Sequence, residues 1–398
     1  MERLFETYYR LINSTDTTFI RSLEEKIDWQ SRLIGIRGAR GCGKTTLLLQ
    51  HIKKKFRDRY SKALYVSLDN IWFSNHSLVE LADYFIRYGG KYLFLDEVHK
   101  YPNWAIEIKN LYDSYPSLNI VFTGSSLLEI IKGRADLSRR ALMYELHGLS
   151  FREFIAIETK QTFPTFSLEE VFTSHIEISQ SIVNQIKLFP LFNNYLKYGY
   201  YPYFLEGVDN YQSRLQETLL MILEHELPLL RGVDLSYTPK LKKLLAIIGE
   251  SVPFIPNVSK LSERIGINRL TFITYLNYLN EAKIIHLLYQ KSKGISKLQK
   301  PDKIFLQNPN LIYLLGSKNE NIGNVRETFF ISQLSSVTNI NYSLKEDFIV
   351  NDQYTIEVGG KKKTNKQIAG IEKSYIAADE IEYGVGNKIP LWLFGFLY

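Results

Sequence analysis

Residues 33–50 read LIGIRGARGCGKTTLLLQ, and the pattern G-x-x-x-x-G-K-T at Gly38, Gly43, Lys44 and Thr45 constrains the fold more than any other feature. An apolar run precedes it and an apolar helical pattern follows, so the segment reads as a strand, a phosphate-binding loop and a helix. Glycines let the backbone curl until successive N–H groups face a phosphate chain. The helix N-terminus adds partial positive charge at the same point. The loop therefore predicts ATP bound with Mg²⁺, contacted by Gly38, Ala39, Arg40, Gly41, Cys42, Gly43, Lys44, Thr45 and Thr46. Lys44 would neutralise phosphate charge and the Thr45 hydroxyl would ligate Mg²⁺. Cys42 reads as a small filler whose thiol an alkylating reagent can reach.

Fifty residues on, KYLFLDEVHK sets four strand-type residues, Tyr92–Leu95, directly before Asp96 and Glu97. A buried strand there would deliver Asp96 to the outer coordination shell of the Mg²⁺ or to its waters and leave Glu97 to polarise the attacking water as a general base. A third run, Ile120-Val-Phe-Thr-Gly-Ser-Ser126, ends in small hydroxyl residues. Ser125 is the first choice for a polar sensor beside the γ-phosphate and Thr123 the second; the competing reading is a strand end with Ser126 capping the next helix. Arg139 and Arg140 precede another strand and could supply an arginine finger within the chain or to a neighbouring subunit. A solvated basic turn is the alternative for each.

The periodicity between these motifs predicts strands at Leu33–Ile36, Ala63–Leu68, Tyr92–Asp96, Leu118–Thr123 and Ala141–Leu146. Helices are predicted at Thr45–Phe56, Leu78–Tyr88 and Trp104–Tyr112. Strands alternating with helices give βαβ units and a parallel α/β sheet. Ser150-Phe-Arg-Glu153 is a capping box that starts a mainly helical stretch, which Val252-Pro-Phe-Ile-Pro256 breaks. A tri-helical unit with a β tail follows to about residue 306, and the rest returns to mixed α/β. A chain of 398 residues is long enough for two or three cores.

Composition excludes little but does exclude some classes. One cysteine rules out an internal disulfide framework and fits a reducing cytoplasm. The N-terminus lacks a basic-then-apolar signal pattern. No apolar run nears the roughly 20 residues that span a bilayer, so no membrane association is expected. The terminal IPLWLFGFLY reads instead as a buried element. A net charge of +7 permits attraction to nucleic acid without requiring it. Its basic knots are Lys53–Lys55 and Lys361, Lys362, Lys363 and Lys366.

Together GARGCGKTT, LFLDEVHKYPNW, VFTGSS, DLSRRA and GLSFREF resemble the uncharacterised archaeal and bacterial AAA-type ATPases related to the STAND class. The resemblance implies an ASCE-type P-loop NTPase core at 1–150, in which an extra strand separates the P-loop strand from the Asp96 strand. It further implies a helical lid at 151–235, a winged helix at 236–306 and a nuclease-like, restriction-endonuclease-type α/β domain at 307–398. In relatives the lid carries a glycine-rich turn ending in proline that approaches nucleotide. Tyr198-Gly-Tyr-Tyr-Pro202 matches it at Gly199 and Pro202, but Tyr200 stands where a second glycine is usual, so the contact is assigned to Pro202 alone.

Val258–Ile265, a turn at Gly266-Ile-Asn268, and Arg269–Ala282 with Leu270, Ile273, Leu276 and Leu279 read as a helix–turn–helix, followed by a wing strand at Ile284–Tyr289. Asn268, Arg269, Thr271 and Tyr275 would meet the major groove of double-stranded DNA. Phe272, Tyr275 and Tyr278 suit instead a protein partner or a homo-oligomer contact, and both readings stay open. Further on, Glu327 on a helix, then Asp347 and Glu357 on strands joined at Asn351-Asp352, resemble the PD-(D/E)xK nuclease order, with Asp347 and Glu357 as Mg²⁺ ligands. The lysine expected two residues after Glu357 is Gly359, and Lys361 is displaced by roughly 7 Å along a strand. The expectation is thus a degenerate nuclease shape. The working function is Mg²⁺-dependent ATP hydrolysis that switches C-terminal DNA- or protein-binding modules. The alternatives are an ATP-regulated DNA nuclease using Glu327, Asp347 and Glu357, and a nucleotide-gated scaffold with negligible turnover.

Overall fold

Five short runs, rich in branched and aromatic residues and apolar on both faces, form one parallel sheet. They are β1 (Leu33–Gly38), β2 (Ala63–Ser67), β3 (Tyr92–Asp96), β4 (Asn119–Ser125) and β5 (Leu142–Glu145). In the computed structural model, which describes residues 1–125, 137, 139–251, 253–290, 300–316, 321–343 and 347–398, the chain divides into two compact units, Met1–His147 and Gly148–Tyr398. The sheet belongs to the first, in the order β2-β3-β4-β1-β5. Each predicted strand is found within two residues of its expected ends. Strand β4 stands between β1 and β3, as the resemblance implied, with Leu33 level with Ile120 and Leu93 with the same residue on the other side.

Helices α1 (Glu2–Ser14), α2 (Leu23–Lys26), α3 (Lys44–Lys55), α4 (Leu78–Arg87) and α5 (Trp104–Ser114) belong to this unit. Helix α3 begins directly on the P-loop. Helix α4 starts on a capping box in which Ser77 and Glu80 satisfy each other's backbone N–H groups. The core between sheet and helices is continuous, from Leu4 and Tyr8 through Leu47, Leu48 and Ile52 to Phe85, Phe94 and Phe122.

The second unit opens with α6 (Phe151–Thr159), where the Ser150–Glu153 capping box forms as expected, and a second box, Ser167–Glu170, starts α7 (Leu168–Val183). Helices α8 (Leu188–Tyr198), α9 (Tyr211–Met221), α10 (Leu227–Arg231) and α11 (Thr238–Ser251) follow, and α11 stops where the proline-bearing segment begins. Next come α12 (Val258–Ile265), α13 (Arg269–Glu281), β6 (Ile285–Leu288) and β7 (Lys303–Leu306), the last two an antiparallel pair. Gly266 turns the chain between α12 and α13 with φ 76.

After α14 (Pro309–Leu315) and α15 (Ile322–Leu334) a mixed sheet forms from β8 (Ile340–Tyr342), β9 (Phe348–Val350), β10 (Tyr354–Gly359), β11 (Ser374–Ala378) and β12 (Lys388–Pro390), in that spatial order. The β9–β10 hairpin turns on Asn351 and Asp352, whose φ values of 52 and 57 are those of a type I′ turn. Helix α15 packs on β10. The terminal IPLWLFGFLY is buried along its length, with Trp392 and Phe396 in the core. Among the described residues no helix is long and apolar enough to cross a membrane.

Two expectations for α13 are corrected. Phe272 and Tyr275 are buried rather than outward, and Leu270, expected inside, is 61% exposed. The buried stripe is shifted because α12 and β6 pack against the face carrying Phe272, Leu276 and Leu279. Asn268 and Arg269 are exposed, and the Asn268 side chain caps α13 by accepting from the Thr271 amide at 2.8 Å.

Candidate functional site

The P-loop is a tight backbone cradle that tolerates few side chains. Gly41 and Gly43 adopt φ 79 and φ 98, conformations open to glycine. A Cβ on Gly38 would lie 2.3 Å from the Leu146 carbonyl oxygen and 2.9 Å from Cys42 Sγ. Cys42 itself is fully buried, which supports its filler reading and corrects the idea that its thiol is open to reagents. The Lys44 ammonium, also buried, donates to the carbonyls of Gly38 at 2.9 Å and Ala39 at 3.0 Å. Thr45 and Thr46, in the first turn of α3, are exposed.

A residue no motif announced clamps this loop from outside. Arg21 is buried and donates to the carbonyl oxygens of Cys42 and His147, both at 2.8 Å. A guanidinium can serve two carbonyls at once because its donors form a fixed fork. Only the fold brings these three positions together.

Asp96 ends β3 and is 2% exposed. Three hydroxyls donate to its carboxylate. Thr45 Oγ1 reaches Oδ2 at 2.5 Å, Tyr65 OH reaches the same oxygen at 2.9 Å, and Thr123 Oγ1 bonds Oδ1. Tyr65 lies on β2, beyond any motif. Burial, and secondarily the Asp96 charge, push its hydroxyl well above the usual tyrosine range, so it stays a protonated donor. Of the two sensor candidates, Thr123 is wired directly to Asp96 and also accepts from the Glu97 amide at 3.2 Å. Ser125 is buried at the end of β4, and its amide meets His99 Nδ1 at 3.3 Å. Ser126 lies outside the described residues.

Glu97 follows with φ 53, a left-handed conformation uncommon for a side-chain-bearing residue. Its amide donates to Asp96 Oδ1 at 3.1 Å, and its carboxylate, a quarter exposed, lies 3.3 Å from Nε2 of the buried His99. The donor set fits Mg²⁺: the Thr45 hydroxyl and the Asp96 carboxylate are hard oxygen ligands that already converge, and phosphate oxygens and water can supply the rest.

The family comparisons agree with this geometry. Residues 30–155 match the family model described as an AAA domain. This segment is an AAA-type P-loop domain. Such a domain implies nucleotide binding and hydrolysis, commonly with Mg²⁺. Residues 190–321 match a domain of unknown function, DUF8612. The chain is 25% identical over 417 residues to the uncharacterized protein MJ1637 of Methanocaldococcus jannaschii, covering 94% of this chain and 87% of that protein. A solved structure, that of C. elegans PCH-2, shares 18% identity at a TM-score of 0.24, over 39% of this chain and 44% of that one. An overlap that slight adds nothing about fold or function.

Within the AAA domain, the arginine-finger expectation needs correcting for action inside one chain. Strand β5 runs parallel to β1 with Leu142 level with Ile34, about 13 Å along the strand short of Gly38. Arg139 and Arg140 precede Leu142, at the edge of the sheet opposite the P-loop. Arg140 is also held by both carboxylate oxygens of Asp113, at 2.9 and 3.0 Å. Arg139 is exposed.

In the second unit, the three acids of the nuclease-like order come near one another, but each has its own partner. Glu357 is fully buried, with Lys363 Nζ 2.6 Å from its Oε2. Glu327 pairs with Lys303 Nζ at 2.8 Å. Asp347 accepts from the Val358 amide at 2.8 Å. Burial raises the carboxyls of Glu327 and Glu357 above their ordinary range, and Asp347 adds to both shifts. Among the described residues no group of three or more His, Cys, Asp or Glu is arranged to hold a metal ion. The Mg²⁺ role expected of Asp347 and Glu357 thus finds no three-acid centre among the described residues, and lysines pair with Glu327 and Glu357. Pro202, the assigned lid contact, is half-buried and starts a short turn in this unit, and the preceding Tyr200 amide is held by Asn310 Oδ1 at 2.8 Å.

Proposed function

We propose that the AAA domain binds ATP with Mg²⁺ and hydrolyses it, and that this cycle changes how the second unit engages double-stranded DNA or a protein partner. One observation carries the hydrolytic reading. Thr45 of the P-loop helix and Asp96 of a strand two places away meet hydroxyl to carboxylate, with Glu97 next in the chain. The backbone N–H groups of the loop receive phosphate oxygens. Lys44 exchanges the carbonyls of Gly38 and Ala39 for phosphate oxygens, which are stronger acceptors because they are charged. When bound, Mg²⁺ held by Thr45 and Asp96 supplies charge neutralisation at the phosphates. Glu97 takes a proton from the attacking water, with Thr123 and Ser125 as polar neighbours.

In the same reading Pro202 lies on the lid turn that answers to nucleotide, and Asn268, Arg269 and Thr271 are the exposed end of α13 that a DNA groove would meet. Arg139, and Arg140 if released from Asp113, act only toward a neighbouring copy of the chain. The lone cysteine fits a cytoplasmic setting. The test is nucleotide binding and phosphate release by the wild type, Lys44→Ala and Glu97→Gln. Lys44→Ala should lose nucleotide affinity. Glu97→Gln should keep it and lose roughly 10²- to 10⁴-fold in turnover. Turnover by Glu97→Gln at the wild-type rate would refute the base assignment, and a wild type that binds without measurable turnover would favour the scaffold.

An ATP-regulated nuclease is the second reading, and Lys363 favours it by bringing to Glu357 the ammonium that position 359 lacks. The test is plasmid nicking in Mg²⁺ or Mn²⁺ by wild type and Glu357→Ala. Equal nicking by both removes this reading.

A further inference from the structure

The left-handed backbone at Glu97 leaves its side chain outside the regular geometry of a strand or helix, so its aim must come from a neighbour. The neighbour is two residues on. His99 is 8% exposed overall, and its side chain is 1% exposed. Its Nδ1 faces the backbone amide of Ser125 at 3.3 Å. An amide can only donate, so Nδ1 accepts and carries no hydrogen, which puts the ring proton on Nε2. That nitrogen lies 3.3 Å from Oε2 of Glu97, an ion-pair distance at which its N–H is not yet aligned as a hydrogen bond.

We infer that His99 is a positioning residue for Glu97: the Ser125 amide sets the ring's tautomer, and the ring's Nε2–H, 3.3 Å from the Glu97 carboxylate, aligns with it to hold it when the site is at work. The inference rests on Glu97 as the hydrolytic base and deepens that reading. Its physical content is that both acids take their bearings from β4. Asp96 does so directly through Thr123, and Glu97 through His99 and the amide of Ser125. A base reached through a neutral imidazole is held in place without a second charge beside it.

A core histidine with no such role would alter folding but not the balance between substrate binding and turnover. Steady-state ATP hydrolysis by the full chain separates the two. His99→Leu should lower kcat roughly 10- to 100-fold with KM within about threefold of wild type. His99→Gln, whose amide N–H can occupy the position of Nε2–H, should recover most of kcat. His99→Asn, whose shorter amide reaches only toward Ser125, should not. Placed in Glu97→Gln, His99→Leu should cost less than threefold, since no base remains to be aimed. The inference is overturned if His99→Leu keeps wild-type kcat, if it costs the same factor in both backgrounds, or if Gln and Asn rescue equally at equal melting temperature. Wild-type turnover by Glu97→Gln alone would instead overturn the base assignment, a distinguishable failure.

Discussion

Replacing Lys363 by Met should destabilise the C-terminal sheet at neutral pH and leave it nearly unaffected at acid pH. The Lys363 ammonium lies 2.6 Å from a Glu357 carboxylate with no solvent exposure, while the lysine side chain itself is 26% exposed. At an effective dielectric constant of about 20, charges that close attract by roughly 6 kcal/mol. Partial exposure of the lysine reduces what its removal costs, and breaking one half of such a pair typically costs about 3–5 kcal/mol, so about 2–4 kcal/mol is expected here. Burial raises the folded-state pKa of Glu357 above its unfolded value, and Lys363 opposes that rise. A carboxyl raised on folding contributes stability that is complete below the unfolded pKa and lost as pH climbs through the folded one. Without Lys363 the folded pKa moves higher still, so the extra loss develops only where Glu357 would otherwise be ionised. Urea unfolding at pH 4 and pH 8, followed by hydrogen exchange in peptides spanning 347–363, measures both limits. Adding Glu357→Gln should remove the pH dependence of the difference. An equal loss at both pH values, or none at pH 8, would show that the pair does not compensate a buried charge.

Three other perturbations test the remaining contacts. Tyr65→Phe deletes one of three hydroxyl donors to Asp96 and should raise the Mg²⁺ concentration for half-maximal hydrolysis about 10-fold; an unchanged Mg²⁺ titration would dismiss Tyr65 from the site. Arg21→Met removes both clamps on the P-loop side and should weaken nucleotide binding about 10-fold or more, read by anisotropy of a fluorescent ATP analogue. Arg21→Lys should fall between, since one ammonium cannot reproduce the fork. Asn310→Leu strips partners from the carbonyls of Tyr195 and Leu196, the Tyr200 amide and the Tyr211 hydroxyl, all buried. It should cost about 2–4 kcal/mol in thermal or urea unfolding, and a melting temperature equal to wild type would contradict that network.

What the sequence disclosed was local. The strand–loop–helix around Gly38 and Lys44 was legible because eight consecutive positions, 38–45, carry the whole requirement. Asn351-Asp352 announced its hairpin for the same reason. Arg21, Tyr65 and His99 were not legible in their roles, because each depends on a partner far away in the chain: Cys42 and His147, Asp96, and the Ser125 amide. Tyr65 meets Asp96 only because β2 pairs with β3. Lys363 escaped through a different assumption, that the backbone stays extended from Glu357 to Lys361. The strand ends at Gly359, and a turn closed by the Lys363 amide on the Gly360 carbonyl at 2.9 Å folds the lysine back. A Cβ at position 359 would lie 2.9 Å from Lys363 Cβ, so the same glycine that removes the expected lysine makes room for its substitute. The stripe of α13 was misjudged because aromatic residues on a helix carry no sign of which face a neighbour will cover.

The two acidic centres differ in what a cation would have to displace, and this decides between them. Around Asp96 every side-chain partner among the described residues is a neutral hydroxyl. One of them, Thr45, is itself an oxygen ligand suited to Mg²⁺, so metal can enter while the carboxylate keeps its other donors and no charge is stranded. Around Glu357 the partner is a cation in a buried setting. A metal there would share the carboxylate with the Lys363 ammonium on Oε2, and Glu327 is likewise paired with Lys303. Two like charges cannot share one buried carboxylate without large cost. The Asp96 centre is therefore poised for exchange. At the Glu357 centre a cation would have to compete with an ammonium already 2.6 Å from one carboxylate oxygen.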